Sequence, residues 1–223
     1  MKFRTAITFF IVPMLVLLAP AGHAAQSQTG QQPVKLQKAK VPDEQSTRNY
    51  FTDLPLLDQE GKRVRFYSDV LKDRVVLISF IYTNCKDACP LIMQRLSQVK
   101  HQLGEVFGKQ VFFILMSVDP VRDTPQALAK YAVQHKAEDP GWVLLTGEKA
   151  NVDRILTKLG QYSEKPDAHS TMLLAANVGT RHWTKVGPAV PVAAIAARLQ
   201  DLIGESSPAT SPGGSGASRL VRD

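Results

Sequence analysis

The sequence predicts an α/β fold in which a central mixed sheet is flanked by helices. Two observations carry the prediction. Residues 74–82 (RVVLISFIY) and 110–118 (QVFFILMSV) are nearly continuous runs of aliphatic, β-branched and aromatic residues, the pattern of strands buried on both faces of a parallel sheet. Between them, Ile92, Leu96, Val99, Leu103 and Val106 fall on one helical stripe, which makes the unit strand, helix, strand.

The remaining elements extend this unit in both directions. Residues 50–66 hold two short apolar segments around Asp58-Gln59-Glu60-Gly61, a turn signal that predicts an N-terminal β-hairpin. Thr124-Pro125 pairs a cap residue with a proline at the first helical position, so a second helix starts there. Residues 142–145 form a short strand, and Val152, Ile155, Leu156 and Leu159 mark a third helix. Residues 171–176 and 182–186 flank Gly179 as a hairpin, and Val192, Ile195, Ala196, Leu199 and Leu202 make a last helix stopped by Gly204. The order of hairpin, βαβα, a short strand with its helix, then ββα fits a thioredoxin-like fold with additions better than a doubly wound sheet.

The folded domain is expected over residues 49–204 of the 223. Lys2 and Arg4 precede about fifteen apolar residues, and small residues stand at Gly22 and Ala24, so residues 1–24 read as a signal peptide that exports the chain to the periplasm. The alternative is an uncleaved anchor in the inner membrane, although Pro13 interrupts the apolar run and a spanning helix needs about twenty such residues. Residues 25–48 are polar, with Pro33 and Pro42 and no apolar period, and read as a flexible linker. Residues 205–223 read as a disordered tail, since eleven of the fifteen residues from 204 to 218 are Gly, Ser or Pro. The net charge of +7 dilutes to nineteen cations against sixteen anions within 49–204. That is too sparse for a nucleic-acid face, which must release several counterions at once. Serine-nucleophile and phosphate-loop motifs are absent from the sequence.

Both cysteines lie in one pentapeptide, Cys85-Lys86-Asp87-Ala88-Cys89, followed by Pro90. The carboxyl end of a parallel strand is where open α/β sheets place ligands. With Pro90 at the first helical position, Cys89 is expected as the helix N-cap and Cys85 in the preceding loop. A helix N-terminus favours negative charge, so a thiolate forms there more easily. A disulfide that merely staples this loop would contribute roughly 2 kcal/mol, little for a domain with its own core. Three intervening residues depart from the usual Cys-x-x-Cys exchange spacing and can let both sulfurs face one soft metal ion.

A third ligand to such an ion would most naturally be imidazole. His101 and His135 fall within predicted helices, far from the site end, and His182 lies past Gly179 in the hairpin; all three read as surface or packing residues. His169 opens the strand 171–176. If that strand runs antiparallel to the two buried ones, His169 reaches the same sheet end as Cys85, which leaves it open as either a ligand or a loop residue. Asp119, Arg122 and Asp123 also follow a buried strand, where they serve equally as turn formers or as groups that orient the site.

Three segments resemble the Sco/SenC family of copper proteins: residues 82–90 (YTNCKDACP), residues 117–125 (SVDPVRDTP) and His169-Ser170. The resemblance covers about residues 50–203. It implies a thioredoxin fold in which Cys85, Cys89 and His169 bind one copper ion, Cu(I) in the first instance with Cu(II) as the alternative state. It further implies a role in building the dinuclear copper centre of cytochrome c oxidase subunit II, with an upstream periplasmic copper donor. Two functions follow as expectations. One is a metallochaperone that passes copper to that subunit or another acceptor. The other is a thiol–disulfide oxidoreductase in which Cys85 and Cys89 are the catalytic pair and reduce the cysteines of the same partner. His169 favours the first, because disulfide exchange has no use for a third soft-metal ligand.

Overall fold

The computed structural model describes residues 44–205. The expected signal segment 1–24, most of the linker and nearly all of the tail lie outside these residues. Among the described residues no helix is long and apolar enough to cross a membrane.

The first element departs from expectation. Residues Glu44–Phe51 form helix α1, which takes up the last residues of the stretch expected as linker. Its anchor is Phe51, buried and stacked on Trp183 with ring centroids 4.6 Å apart. Two adjacent aromatic residues, Tyr50 and Phe51, at the end of a polar segment leave no helical period to read.

The hairpin follows as expected, from β1 (Pro55–Asp58) to β2 (Arg63–Arg65), paired antiparallel. Asp58 builds its turn. Its Oδ1 accepts from the N–H groups of Glu60 and Lys62, both at 2.9 Å, and Gly61 supplies the left-handed φ of 79° that the turn needs.

The buried strands are β3 (Val75–Ile81) and β4 (Val111–Ser117), joined by α2 (Ala88–Leu103) and paired in parallel from Val75↔Val111 to Ile81↔Ser117. Then come α3 (Pro125–Gln134), β5 (Trp142–Thr146), α4 (Lys149–Lys158), β6 (Leu173–Asn177), β7 (His182–Val186) and α5 (Val192–Gly204). The seven strands form one mixed sheet in the order β2-β1-β5-β4-β3-β6-β7. Every residue of β3 is buried, which explains why its sequence shows a continuous apolar run rather than alternation.

Strand alternation then divides the core in two. Leu77, Ile81, Phe113 and Leu115 face α2, α3 and α5, while Ile78, Phe80, Ile114 and Met116 face α1, α4 and the turn Phe66–Leu71. Each such side chain contributes about 1.5–3 kcal/mol by leaving water, so the sheet is a rigid platform. Its carboxyl end, where β3 and β4 both stop, carries the site.

β6 pairs antiparallel with β3, from Val75↔Asn177 to Ile78↔Leu174. The start of β6 therefore lies toward the carboxyl end of β3, as the placement of His169 required.

Candidate functional site

β3 ends at Ile81, and Tyr82–Asp87 leads directly into α2. Within this stretch the Cys85 N–H donates to the Tyr82 carbonyl at 3.1 Å, which closes a tight turn. The helix starts at Ala88 with Asp87 as its N-cap, so the expectation that Cys89 is the cap is corrected. Cys89 and Pro90 both lie in the first turn. The first four N–H groups of a helix have no intrahelical acceptor, so a proline there loses no bond and does not mark the helix start.

One of those N–H groups finds a sulfur. The Cys89 N–H donates to Cys85 Sγ at 3.4 Å, which places both thiols, free in this structure, at the N-terminus of α2.

The two thiols are electrostatically unequal. Partial burial opposes the Cys85 thiolate, but hydrogen bonds from the Cys89 thiol, the N–H groups of Cys89 and Asp87, and the Tyr82 hydroxyl outweigh it and bring its pKa below the ordinary thiol value. Cys89 is fully buried. Its thiol is pushed up to about 12, first by burial and then by its hydrogen bond to Cys85. The Tyr82 hydroxyl is likewise pushed up to about 12, chiefly because it donates to Cys85. Cys85 is thus the accessible, readily ionised sulfur, and Cys89 the protected, protonated one.

His169 follows the short turn Pro166–Ala168. Its Nδ1 lies 2.5 Å from the Pro166 carbonyl and its Nε2 lies 3.1 Å from the Phe80 carbonyl. The ring meets Tyr82 edge-on, with centroids 5.6 Å apart. Tyr82 therefore touches both the imidazole and, through its hydroxyl, the Cys85 sulfur. The structure brings Cys85 and Cys89 together and sets His169 against Tyr82, which is bonded to Cys85. Among the described residues no three His, Cys, Asp or Glu side chains already converge as a metal site.

A neutral imidazole carries one N–H and cannot satisfy two carbonyls. Only one of the two ring nitrogens can therefore donate in the neutral form, and the other keeps the lone pair that a metal ion would use.

The other described histidines lie elsewhere in the fold. His101 is exposed on α2, and His135 lies against the Tyr131 ring at 4.3 Å. The His182 Nδ1 pairs with Glu205 at 2.6 Å, and its Nε2 faces the Arg198 guanidinium at 2.8 Å. Glu205, read as the first residue of the tail, also accepts from the Thr180 hydroxyl at 2.8 Å.

Asp123 is buried and accepts from the Thr83 N–H at 3.1 Å, the Thr83 hydroxyl at 2.6 Å and the Ser117 hydroxyl at 2.6 Å. Asp119 pairs with the guanidinium of Arg122. The hydroxyl of Tyr131 is buried with no hydrogen-bond partner among the described residues. Burial first, then the charges of Cys89, Cys85 and Asp123, hold its pKa above the ordinary phenol value. Sequence reasoning gave no separate role to Tyr82 or Thr83. The available signal was their place, two hydroxyl-bearing residues between a fully buried strand and a cysteine.

A family model described as SCO1/SenC matches residues 42–204. A putative copper-binding protein of Stutzerimonas stutzeri is 33% identical over 107 residues, covering 48% of this chain and 50% of that protein. The chain spans about half the length of the curated relatives it matches first. The structure of Bradyrhizobium japonicum ScoI with copper bound aligns with a TM-score of 0.57 at 29% identity, covering 66% of this chain and 96% of that one. BsSco, described as a member of the Sco family of cytochrome c oxidase assembly proteins, aligns at 0.59 and 23% identity over 70% of this chain and 94% of its own, a likeness of fold.

Proposed function

The chain belongs to the SCO1/SenC family, and we propose that it carries one copper ion on Cys85, Cys89 and His169 and delivers it during cytochrome c oxidase assembly. The observation that carries this reading is the thiol pair itself: two free cysteines at one helix N-terminus, with β6 returning His169 to the same sheet end. The copper named for relatives in Stutzerimonas and Bradyrhizobium supports it.

Copper here is cargo, and the residues fit it. Two thiolates form a soft donor pair suited to Cu(I). Cys85 ionises readily, whereas Cys89 gives up its proton only against burial, so loading releases protons and strengthens as pH rises. The neutral imidazole of His169 keeps one unprotonated ring nitrogen, and that nitrogen is the one that would ligate. Ligation through it gives up the carbonyl contact that the same nitrogen makes in this structure. Partial exposure of Cys85 lets an acceptor ligand approach, as transfer by ligand exchange requires.

The proposed acceptor is the dinuclear copper site of cytochrome c oxidase subunit II, and an upstream copper donor supplies the metal. With residues 1–24 read as an export signal, the proposed setting is the periplasm. An uncleaved N-terminus would hold the protein on the inner membrane.

The inequality of the two thiols favours a second reading on the same partner, disulfide reduction. Thiolate Cys85 attacks a partner disulfide, forms a mixed disulfide and releases one partner thiolate. Cys89 then loses its proton and attacks Cys85 Sγ, which releases the second. The partner gains two electrons, and this chain ends as the Cys85–Cys89 disulfide.

One experiment separates the readings. The copper-loaded protein is mixed with the copper-free, reduced soluble domain of subunit II, and metal is measured on each after separation. Metal on the acceptor supports delivery. Metal retained, together with reduction of an oxidised acceptor by the copper-free protein, supports the enzyme.

A further inference from the structure

Asp123 lies forty residues beyond Thr83, yet its buried carboxylate grips Thr83 twice, through the N–H at 3.1 Å and the hydroxyl at 2.6 Å. A third bond, from Ser117 Oγ at 2.6 Å, ties the same carboxylate to the end of β4. The Asp123 N–H in turn donates to the Asp119 carbonyl at 2.9 Å, and Ser117 Oγ accepts from the Asp119 N–H at 3.0 Å. The grip is therefore anchored to the rigid sheet. A buried carboxylate is costly unless its oxygens are bonded, and an apolar side chain would fill the space without that cost. What the carboxylate adds is direction.

Thr83 lies inside the turn closed by the Cys85 N–H on the Tyr82 carbonyl. Two residues later the same turn sets Cys85 Sγ 3.4 Å from the Cys89 nitrogen. We infer that Asp123 is the positioning residue of the thiol pair: through Thr83 it locks the turn that holds the Cys85 sulfur on the N-terminus of α2 beside Cys89. Loosening the lock lowers the effective concentration of one sulfur at the other, which weakens every reaction that uses both. The copper part of this inference rests on the proposed function. The thiol part does not.

The test uses the full chain with Asp123→Ala, Thr83→Val and Thr83→Ser, each confirmed as folded by circular dichroism at the working temperature. Thr83→Val keeps the backbone N–H bond and guards against a failure of Asp123→Ala to fold. Two quantities are read: the equilibrium of the metal-free Cys85–Cys89 pair with glutathione, and the rate at which bound Cu(I) passes to a chelator. Asp123→Ala is expected to shift the glutathione equilibrium toward the dithiol and to speed copper loss, each by about tenfold, the effect typical of removing a group that orients metal ligands. Thr83→Val moves both in the same direction by less, and Thr83→Ser restores wild-type values. Folded Asp123→Ala and Thr83→Val proteins that match wild type in both measures overturn the inference, whatever their melting temperatures. If wild type binds no copper, the proposed function fails, and the glutathione equilibrium still decides the role of Asp123.

Discussion

Replacing Tyr82 with phenylalanine removes one hydroxyl and almost no volume, and it addresses the inequality between the two sulfurs directly. The phenol donates to Cys85 and is among the bonds that bring that thiol below its ordinary value. A hydrogen bond to a charged group contributes about 1.5–3 kcal/mol when buried. Cys85 is only partly buried, so solvent screening reduces this to about 1 kcal/mol. At 1.36 kcal/mol per tenfold, Tyr82→Phe holds about fivefold less Cys85 thiolate at a pH below the midpoint, and the midpoint moves up.

The assay is the pH dependence of Cys85 alkylation in the reduced, metal-free protein, with the modified residue located by mass spectrometry. The midpoint of the profile is the informative quantity. The rate at pH 7 falls by only about twofold to threefold, because a more basic thiolate is also the better nucleophile. A midpoint that stays where it is in wild type would show that the phenol does not hold the thiolate, and it would remove Tyr82 from the site.

Three further outcomes follow from the same structure. Cys89, pushed up to about 12 by burial, is expected to stay unalkylated at pH 9 in the folded protein and to react normally in urea, as peptide mapping would show. Because its folded pKa exceeds the unfolded value, the unfolded chain binds fewer protons between pH 9 and 12, and stability falls as pH rises through that window. Urea melts at pH 8 and 10 should therefore differ more for wild type than for Cys89→Ala. A Cβ at Gly141 would meet the Phe107 ring at 2.5 Å and the Gly108 nitrogen at 2.8 Å. Gly141→Ala is thus expected to cost about 1–3 kcal/mol in chemical denaturation and to leave the alkylation midpoint of Cys85 unchanged.

Much of the fold was legible because burial writes itself into local sequence. The runs at β3 and β4 showed two strands covered on both faces, and the stripe Ile92, Leu96, Val99, Leu103 showed the face of the helix between them. The two-cysteine segment announced its own place at a strand end. His169 was reachable by topology, since only an antiparallel β6 returns its start to the site. What stayed hidden depends on contacts between residues far apart in the chain. No local pattern links Thr83 to Asp123, or turns the His169 ring onto the carbonyls of Phe80 and Pro166. The polar helix α1 gave no period, because its one anchor meets Trp183, more than a hundred residues away. The start of α2 was misplaced by two residues because proline is tolerated anywhere in a first helical turn, not at one position only.

The most direct measurement is a competitive titration of the reduced protein with Cu(I), alongside Cys85→Ala, Cys89→Ala and His169→Ala. One copper per wild-type chain is expected, with binding weakened in every variant. A His169→Ala protein that binds copper as tightly as wild type would contradict the assignment of the histidine, and a wild-type protein that binds none would contradict the copper-carrying role itself.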